Sequence, residues 1–259
     1  MKTHSFTAGI AAVALGFIAL PVQEAAGQTP EIRVLASNGV KAAMEELLPQ
    51  YARSTGRRLA IQYNSSASLK QSIEAGEAFD VAIVTSELLD ALIEDGKVRV
   101  DSRAGVARSG VGVGIRTGAP RPDIRTPDAL KRALLDAKSI SYAQDGASRI
   151  HIERMLDRLG IVQDMKPKTI LEQGSTRSTA RVAQGHADLV LTLVSEILPV
   201  RGIELLGPLP ASLQNYVSFA AGVSTKASDA EAAQALVGFL AGPAVAPVLH
   251  AKGLEARER

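Results

Sequence analysis

Three times between Ile32 and Gly96, an apolar run of strand length passes through a few small or hydroxyl residues into a stretch with apolar positions at helical spacing. Ile32-Arg33-Val34-Leu35-Ala36 leads across Ser37-Asn38-Gly39 to Val40, Met44, Leu47 and Leu48. Leu59 to Tyr63 leads across Asn64-Ser65-Ser66 to Leu69 and Ile73 and stops at Ala75-Gly76. Phe79 to Val84 leads across Thr85-Ser86-Glu87 to Leu88, Leu92 and Ile93 and stops at Gly96. Repeated β-α units with such short connections build a parallel sheet with helices packed on it. The unbroken apolar character of Phe79-Asp80-Val81-Ala82-Ile83-Val84, Asp80 excepted, predicts a strand covered on both faces. Hydroxyl residues at each junction cap the next helix and leave its first N–H groups reachable. With the helix dipole behind them, such junctions are suited to hold an anion.

The pattern then changes. Val98 to Ala107 and Val111 to Ile115 alternate with no helix between them, as expected of crossover strands that leave one lobe and enter another. The glycines of Val111-Gly112-Val113-Gly114-Ile115 are not read as a nucleotide loop, because no helix follows them. Pro49 predicts a kink or an early end of the first helix. A second set of β-α units starts at Thr126-Pro127-Asp128, with strands over Ser139–Tyr142, Thr169–Leu171 and Ala187–Val194 and helix starts at Asp145–Ser148 and Gly174-Ser175-Thr176. Tyr216 to Val223 reads as a strand returning to the first lobe. The fold class is α/β, two lobes with parallel-rich sheets flanked by helices and a ligand cleft between them. Residues 28–107 with 217–259 form lobe I and residues 108–216 form lobe II.

At the amino end, Lys2 precedes an uncharged apolar run over Phe6–Leu20, and Ala25-Ala26-Gly27 supplies small residues for cleavage. This predicts a secretory signal over 1–27 and a periplasmic mature protein of about 230 residues, not membrane-spanning. The sequence has no Cys, so disulfides and Cys-ligated metals are excluded; no metal or cofactor is expected. Its 29 Lys and Arg are interspersed among 27 Asp and Glu, which argues against nucleic acid as a partner. The absence of Trp argues against a sugar-stacking cleft.

This layout resembles the periplasmic solute-binding proteins of ABC importers, most closely the molybdate-binding type. The resemblance rests on Val34–Ser37, Tyr63–Leu69 with Gln71–Gly76, Phe79–Val81, Leu156–Ile161 and Val182–Asp188. It implies a monomer that binds a small anion and docks on an ABC permease. In that family two serine-bearing loops of the first lobe bind the oxyanion. The matching positions are Ser37 and Ser66, with Asn38, Asn64 and Ser65 beside them. The second lobe departs from the family pattern. Ser148-Arg149-Ile150-His151 stands where the family has a small Gly/Pro-rich loop, Thr192-Leu193 stands where it has a Tyr, and the helix start at Gly174 carries Arg177 and Arg181.

Ser148, Arg149, Arg177 and Thr192 are therefore expected as second-lobe ligand contacts and Arg181 as a solvated side chain; Glu196 reads as a cleft acid or a surface residue, the surface being favoured. Arginine pairs bidentately with carboxylates, so a di- or tricarboxylate is the expected ligand. The leading expectation is a binding protein. The alternative is a periplasmic aconitate isomerase, an activity that resembles members of this fold. His151 is then the expected proton-transfer group; in the binding reading it is a packing residue.

Overall fold

The computed structural model describes residues 31–256, together with Met1; apart from Met1, the expected leader lies outside the described residues. The first three β-α units form as expected: β1 (Ile32–Ser37), α1 (Lys41–Thr55), β2 (Leu59–Asn64), α2 (Ser66–Glu74), β3 (Val81–Thr85) and α3 (Ser86–Glu94). Strand β1 pairs in parallel with both β2 and β3, which brings Ser37, Asn64 and Thr85 to one edge of the sheet. The period of two decides which side chains go where. Val34 and Ala36 pack with Met44, Leu47 and Leu48 on one face, while Leu35 joins Leu69, Ile73 and Leu89 on the other. The sheet is thus covered on both sides, as the apolar run of β3 requires. Helix α1 runs through Pro49 as a single element, so of the two outcomes expected there the early end does not occur. Its apolar face, Met44, Leu47, Leu48 and Tyr51, is buried along its whole length and holds the helix together across the missing hydrogen bond.

The two crossover runs expected after Val98 are one long strand, β4 (Ala104–Arg116), preceded by a short 3-10 turn over Val100–Ser102. The chain continues through α4 (Pro127–Asp136), β5 (Ile140–Ala143), α5 (Arg149–Arg158), α6 (Val162–Met165), β6 (Thr169–Glu172), α7 (Ser175–Ala183), β7 (Leu189–Leu193), α8 (Val194–Ile197) and β8 (Ile203–Pro208). It ends with β9 (Tyr216–Val223), α9 (Ala230–Leu240), α10 (Ala246–Ala251) and β10 (Glu255–Ala256). The strand order is β2-β1-β3-β9-β4-β7-β5-β6, with β8 and β10 also paired to β4. The first part of β4, Ala104 to Gly110, pairs with β9; Val111 to Ile115 pairs with β7. One strand therefore runs through both halves of the sheet.

The glycines of β4 have a packing role. A Cβ at Gly114 would lie 2.8 Å from a Val190 methyl, and one at Gly112 would lie 3.0 Å from a Val194 methyl. Their bareness lets β7 and α8 lie close over the strand. Among the described residues no single helix is long and apolar enough to cross a membrane.

A buried carboxylate ties the start of β3 to its neighbours. Asp80 is 1% exposed and pairs with Arg33 through Nε at 2.9 Å and a second nitrogen at 3.0 Å. It also accepts from the backbone N–H of Arg33 at 2.8 Å and of Ser228 at 2.9 Å. Burial pushes the Asp80 carboxyl up, but the Arg33 and Ser228 bonds overcome this and hold it at about 2. A carboxylate depressed in the folded state stabilises the fold above its ordinary pKa, and that contribution is lost as pH falls through the folded value. Arg33 is half exposed, so solvent screening limits the contribution to about 1–2 kcal/mol. Asp80→Asn is expected to cost about 2–3 kcal/mol in urea unfolding at neutral pH, because it strands the donors around it. The gap to the parent protein should narrow as the pH is lowered from about 4 toward about 2.

Candidate functional site

The C-terminal edge of β1, β2 and β3 sets out three junctions, and two of them share a hydrogen-bonded hydroxyl pair. Ser37 and Ser66 are 3% and 4% exposed. The Ser66 hydroxyl donates to Ser37 Oγ at 2.9 Å and accepts from the Thr85 N–H at 3.2 Å. Ser37 Oγ also accepts from the Gly39 N–H at 3.4 Å. Both acceptances leave the Ser37 proton unspent. Ser65 caps α2 by accepting from the Ser68 N–H at 3.1 Å, and Asn64 turns its side-chain oxygen back to the Ser65 N–H at 2.8 Å. The N–H groups of Ser66 and Ala67 are those that helix geometry leaves without an internal acceptor.

The other half of the sheet faces this pair with the start of α7 and with α8. Gly174 precedes α7 at φ 78°, a conformation that glycine adopts without strain. The Ser175 hydroxyl donates to Glu196 Oε1 at 2.7 Å, and the Thr192 hydroxyl donates to Glu196 Oε2. Glu196 is thus drawn inward, where the sequence favours the surface. The short helix α8, absent from the sequence expectation, turns it there. Ser195 beside it donates to the Gly39 carbonyl at 2.7 Å and joins the two halves. Burial pushes the Glu196 carboxyl up and Asp145 pushes the same way, against the hydrogen bonds from Thr192, Ser175 and the Leu193 backbone.

These groups enclose one small space of about 10 Å³ with Ser37, Asn38 and Ser66 on one side and Gly146, Ser175 and Glu196 on the other. Such a space holds roughly one water molecule. Asn38, Ser175 and Glu196 also border a groove of about 300 Å³ that continues outward past Lys41, Glu45, Thr176 and Thr179. Lys41 opens α1, with its ammonium 3.7 Å from Glu45 and 5.5 Å above the Tyr63 ring.

The structure brings Ser37, Asn38, Ser65 and Ser66 together around this space and sets Thr192 behind Glu196. Asn64 is exposed. Ser148 is buried at the start of α5 and lines neither the pocket nor the groove. Arg149 is turned along its own helix, donating to Glu153 at 2.8 Å and to the Gln144 carbonyl at 2.8 Å. The helix that it begins supplies a counter-charge, as α1 does for Lys41 through Glu45. Arg177 is exposed on α7, and Arg181 pairs with Glu172 and is not simply solvated. His151 is half-buried with Nδ1 unpartnered; burial and Arg154 lower its pKa while Glu87 raises it.

Sequence reasoning missed Lys41 and Ser175, and for Glu196 it favoured the surface over the cleft. An acid inside the apolar stretch Leu189 to Leu198 was the available signal for Glu196, and Ser175 stands at a strand-to-helix junction of the same kind as Ser37 and Ser66.

Residues 32–255 match the family of bacterial extracellular solute-binding proteins. An aconitate isomerase from a Pseudomonas species is 30% identical over 237 residues, 89% of this chain and 90% of the relative. The molybdate-binding protein ModA of Azotobacter vinelandii is 25% identical over 234 residues, 88% of this chain and 91% of the relative. Among solved structures, the periplasmic molybdate-binding protein of Azotobacter vinelandii aligns with a TM-score of 0.76 at 18% identity, covering 88% of this chain and 100% of that one. The substrate-binding domain of a molybdenum ABC transporter from Clostridium difficile aligns with a TM-score of 0.69 at 17% identity, covering 88% and 99%.

A carboxyl whose pKa is raised by folding costs nothing at low pH and destabilises the fold increasingly as pH climbs from its ordinary pKa to its folded value. Glu196→Gln keeps the shape and removes the charge. It is expected to match or exceed the parent in thermal melts near pH 8, with any advantage gone by about pH 4. A variant that melts well below the parent at every pH would show that the charge is needed for packing.

Proposed function

The chain belongs to the bacterial extracellular solute-binding proteins, and from that premise we propose that it takes a small polycarboxylate of the aconitate class into its inter-lobe cleft and interconverts the double-bond isomers. The fold is that of the periplasmic molybdate-binding proteins. In this reading lobe I comprises 28–107 with 217–259, lobe II comprises 108–216, and the protein works in the periplasm after the leader is removed.

One observation carries the reading. The hydroxyl-lined pocket shares Asn38, Ser175 and Glu196 with the groove that Lys41 borders. A tetrahedral oxyanion needs only the pocket. A molecule with carboxylates at both ends uses both compartments: the Ser37 hydroxyl and the α2 N–H groups take one end, and the Lys41 ammonium takes the other. The support for a carboxylate thus moves from Arg149 and Arg177 to Lys41. Glu196 adds to it. A carboxylate beside a compact dianion opposes binding, whereas an extended ligand can place its own carboxylates away from it. The relative named as an aconitate isomerase, similar over nearly the whole chain, supports the same class. The pocket as it stands holds about one water, so entry of the ligand requires the lobes to part and close again.

A second reading, capture of the anion for an ABC permease without chemistry, is favoured by the family itself. The two readings divide on one experiment. Cis-aconitate incubated with the protein and followed by proton NMR should give trans-aconitate; unchanged isomers would leave capture alone. In thermal-shift assays, cis-aconitate and the saturated tricarballylate should both raise the melting temperature. Lys41→Ala should weaken tricarballylate about tenfold. Stabilisation by molybdate with no response to either tricarboxylate would overturn the carboxylate assignment.

A further inference from the structure

We propose that Glu196 is the catalytic acid–base residue of this cleft, the single group that lifts a proton from one carbon of the substrate and sets it down on another. The inference rests on the isomerase reading above and goes beyond it by naming the residue that carries the proton. His151, which the sequence suggests for this role, lies on α5 and borders neither the pocket nor the groove.

Among the residues lining the inner pocket, Glu196 alone has a side chain that titrates. It lines both the pocket and the groove, so a ligand reaching from one to the other lies beside it. Its two oxygens rest on the hydroxyls of Ser175 and Thr192. A hydroxyl both donates and accepts, so the same two partners can hold the carboxylate and, by turning one O–H, the protonated acid. No backbone movement is needed when the proton arrives or leaves. Ser195, the preceding residue, anchors α8 to the Gly39 carbonyl at 2.7 Å and fixes where the carboxyl can reach.

The charged groups around it are few. Asp145 lies in the loop before α5 and opposes ionisation of Glu196. Lys41 and Glu45 of α1 stand across the groove, and on α7 Arg181 is occupied by Glu172 while Arg177 is exposed. Burial and Asp145 raise the Glu196 carboxyl above the ordinary carboxylate range, the direction in which burial tunes a carboxyl for proton transfer.

The step balances with substrate and Glu196 alone. In ⁻OOC–CH2–C(COO⁻)=CH–COO⁻, the Glu196 carboxylate takes a proton from the CH2 carbon. The C–H electron pair becomes the new C=C bond, and the former C=C pair moves onto the vinylic carbon and its carboxylate. The Ser37 hydroxyl and the N–H groups at the start of α2 hold that charge-gathering carboxylate. Protonated Glu196 then returns the proton to the former vinylic carbon. One C–H bond breaks and one forms, with no change of oxidation state and no leaving group.

The test uses purified protein, cis-aconitate in deuterated buffer and NMR detection of both isomers and of deuterium at the allylic carbons. Glu196→Gln should lower turnover and deuterium wash-in by about 10²–10⁴-fold. It should still be stabilised thermally by tricarballylate. Glu196→Asp keeps a carboxyl at shorter reach and should restore part of the rate. If the parent converts cis-aconitate and Glu196→Gln turns over within about tenfold of it, the assignment to Glu196 is wrong and the isomerase reading stands. Loss of turnover in His151→Ala with Glu196→Gln still active would move the role to His151. If the parent leaves the isomers and their deuterium content unchanged, the isomerase reading fails and this proposal with it.

Discussion

The hydrogen bond from the Ser195 hydroxyl to the Gly39 carbonyl, 2.7 Å long, is the contact on which the site depends. It is possible only because Gly39 has no side chain. A Cβ there would lie 2.3 Å from the Phe219 ring and 3.1 Å from a Leu193 methyl. The other flank of α8 is held in the same way. Ser109 donates to the Gly253 carbonyl at 3.0 Å and accepts from the Ser195 N–H at 3.2 Å. A Cβ at Gly253 would lie 2.7 Å from a Val194 methyl. A four-residue helix has little stability of its own, so these contacts decide where it lies. With α8 placed, Glu196 is directed between the two halves of the sheet, and the space beside Ser37 and Ser66 acquires its far wall.

Two enclosed carboxyl groups show how partners set charge. Asp80 is surrounded by N–H donors, one of them a guanidinium, and stays ionised far below the ordinary range. Glu196 is held by two hydroxyls and the Leu193 backbone N–H, with no cation bonded to it among the described residues, and burial prevails over its hydrogen bonds. The first arrangement suits a permanent tie between strands, because its charge state does not change over the working range. The second suits a group that must exchange a proton. The difference lies in the donors: full positive charge offsets desolvation, and neutral dipoles offset only part of it.

Much of the fold was legible in the chain. The switch from a period of two to helical spacing located the first three strands and helices, and the hydroxyls at Ser37, Ser65 and Ser66 marked polar junctions at one edge of the sheet. Misreadings arose where local pattern and long-range packing disagreed. Pro49 sits in a helix whose buried face keeps it continuous. The alternating glycines of β4 have their reason in β7 and α8, far away in sequence. The sequence proposed Arg149 and Arg177 as ligand contacts because a cation at a helix start is unfavourable without an anion nearby. For Arg149 the structure supplies Glu153 one turn along and the Gln144 carbonyl.

The sequence by itself determined the α/β class, the order of its elements and the polar junctions at the ends of β1 and β2, because strand and helix periods and capping chemistry act over a few neighbouring residues. Only the tertiary structure decided that Glu196 faces inward, that Lys41 borders the same groove and that Ser175 lines the same space as Ser37 and Ser66. Those outcomes depend on two halves of one sheet meeting along β4 and on a helix of four residues wedged between bare glycines. Contacts between segments so far apart in the chain leave no period or spacing in the sequence.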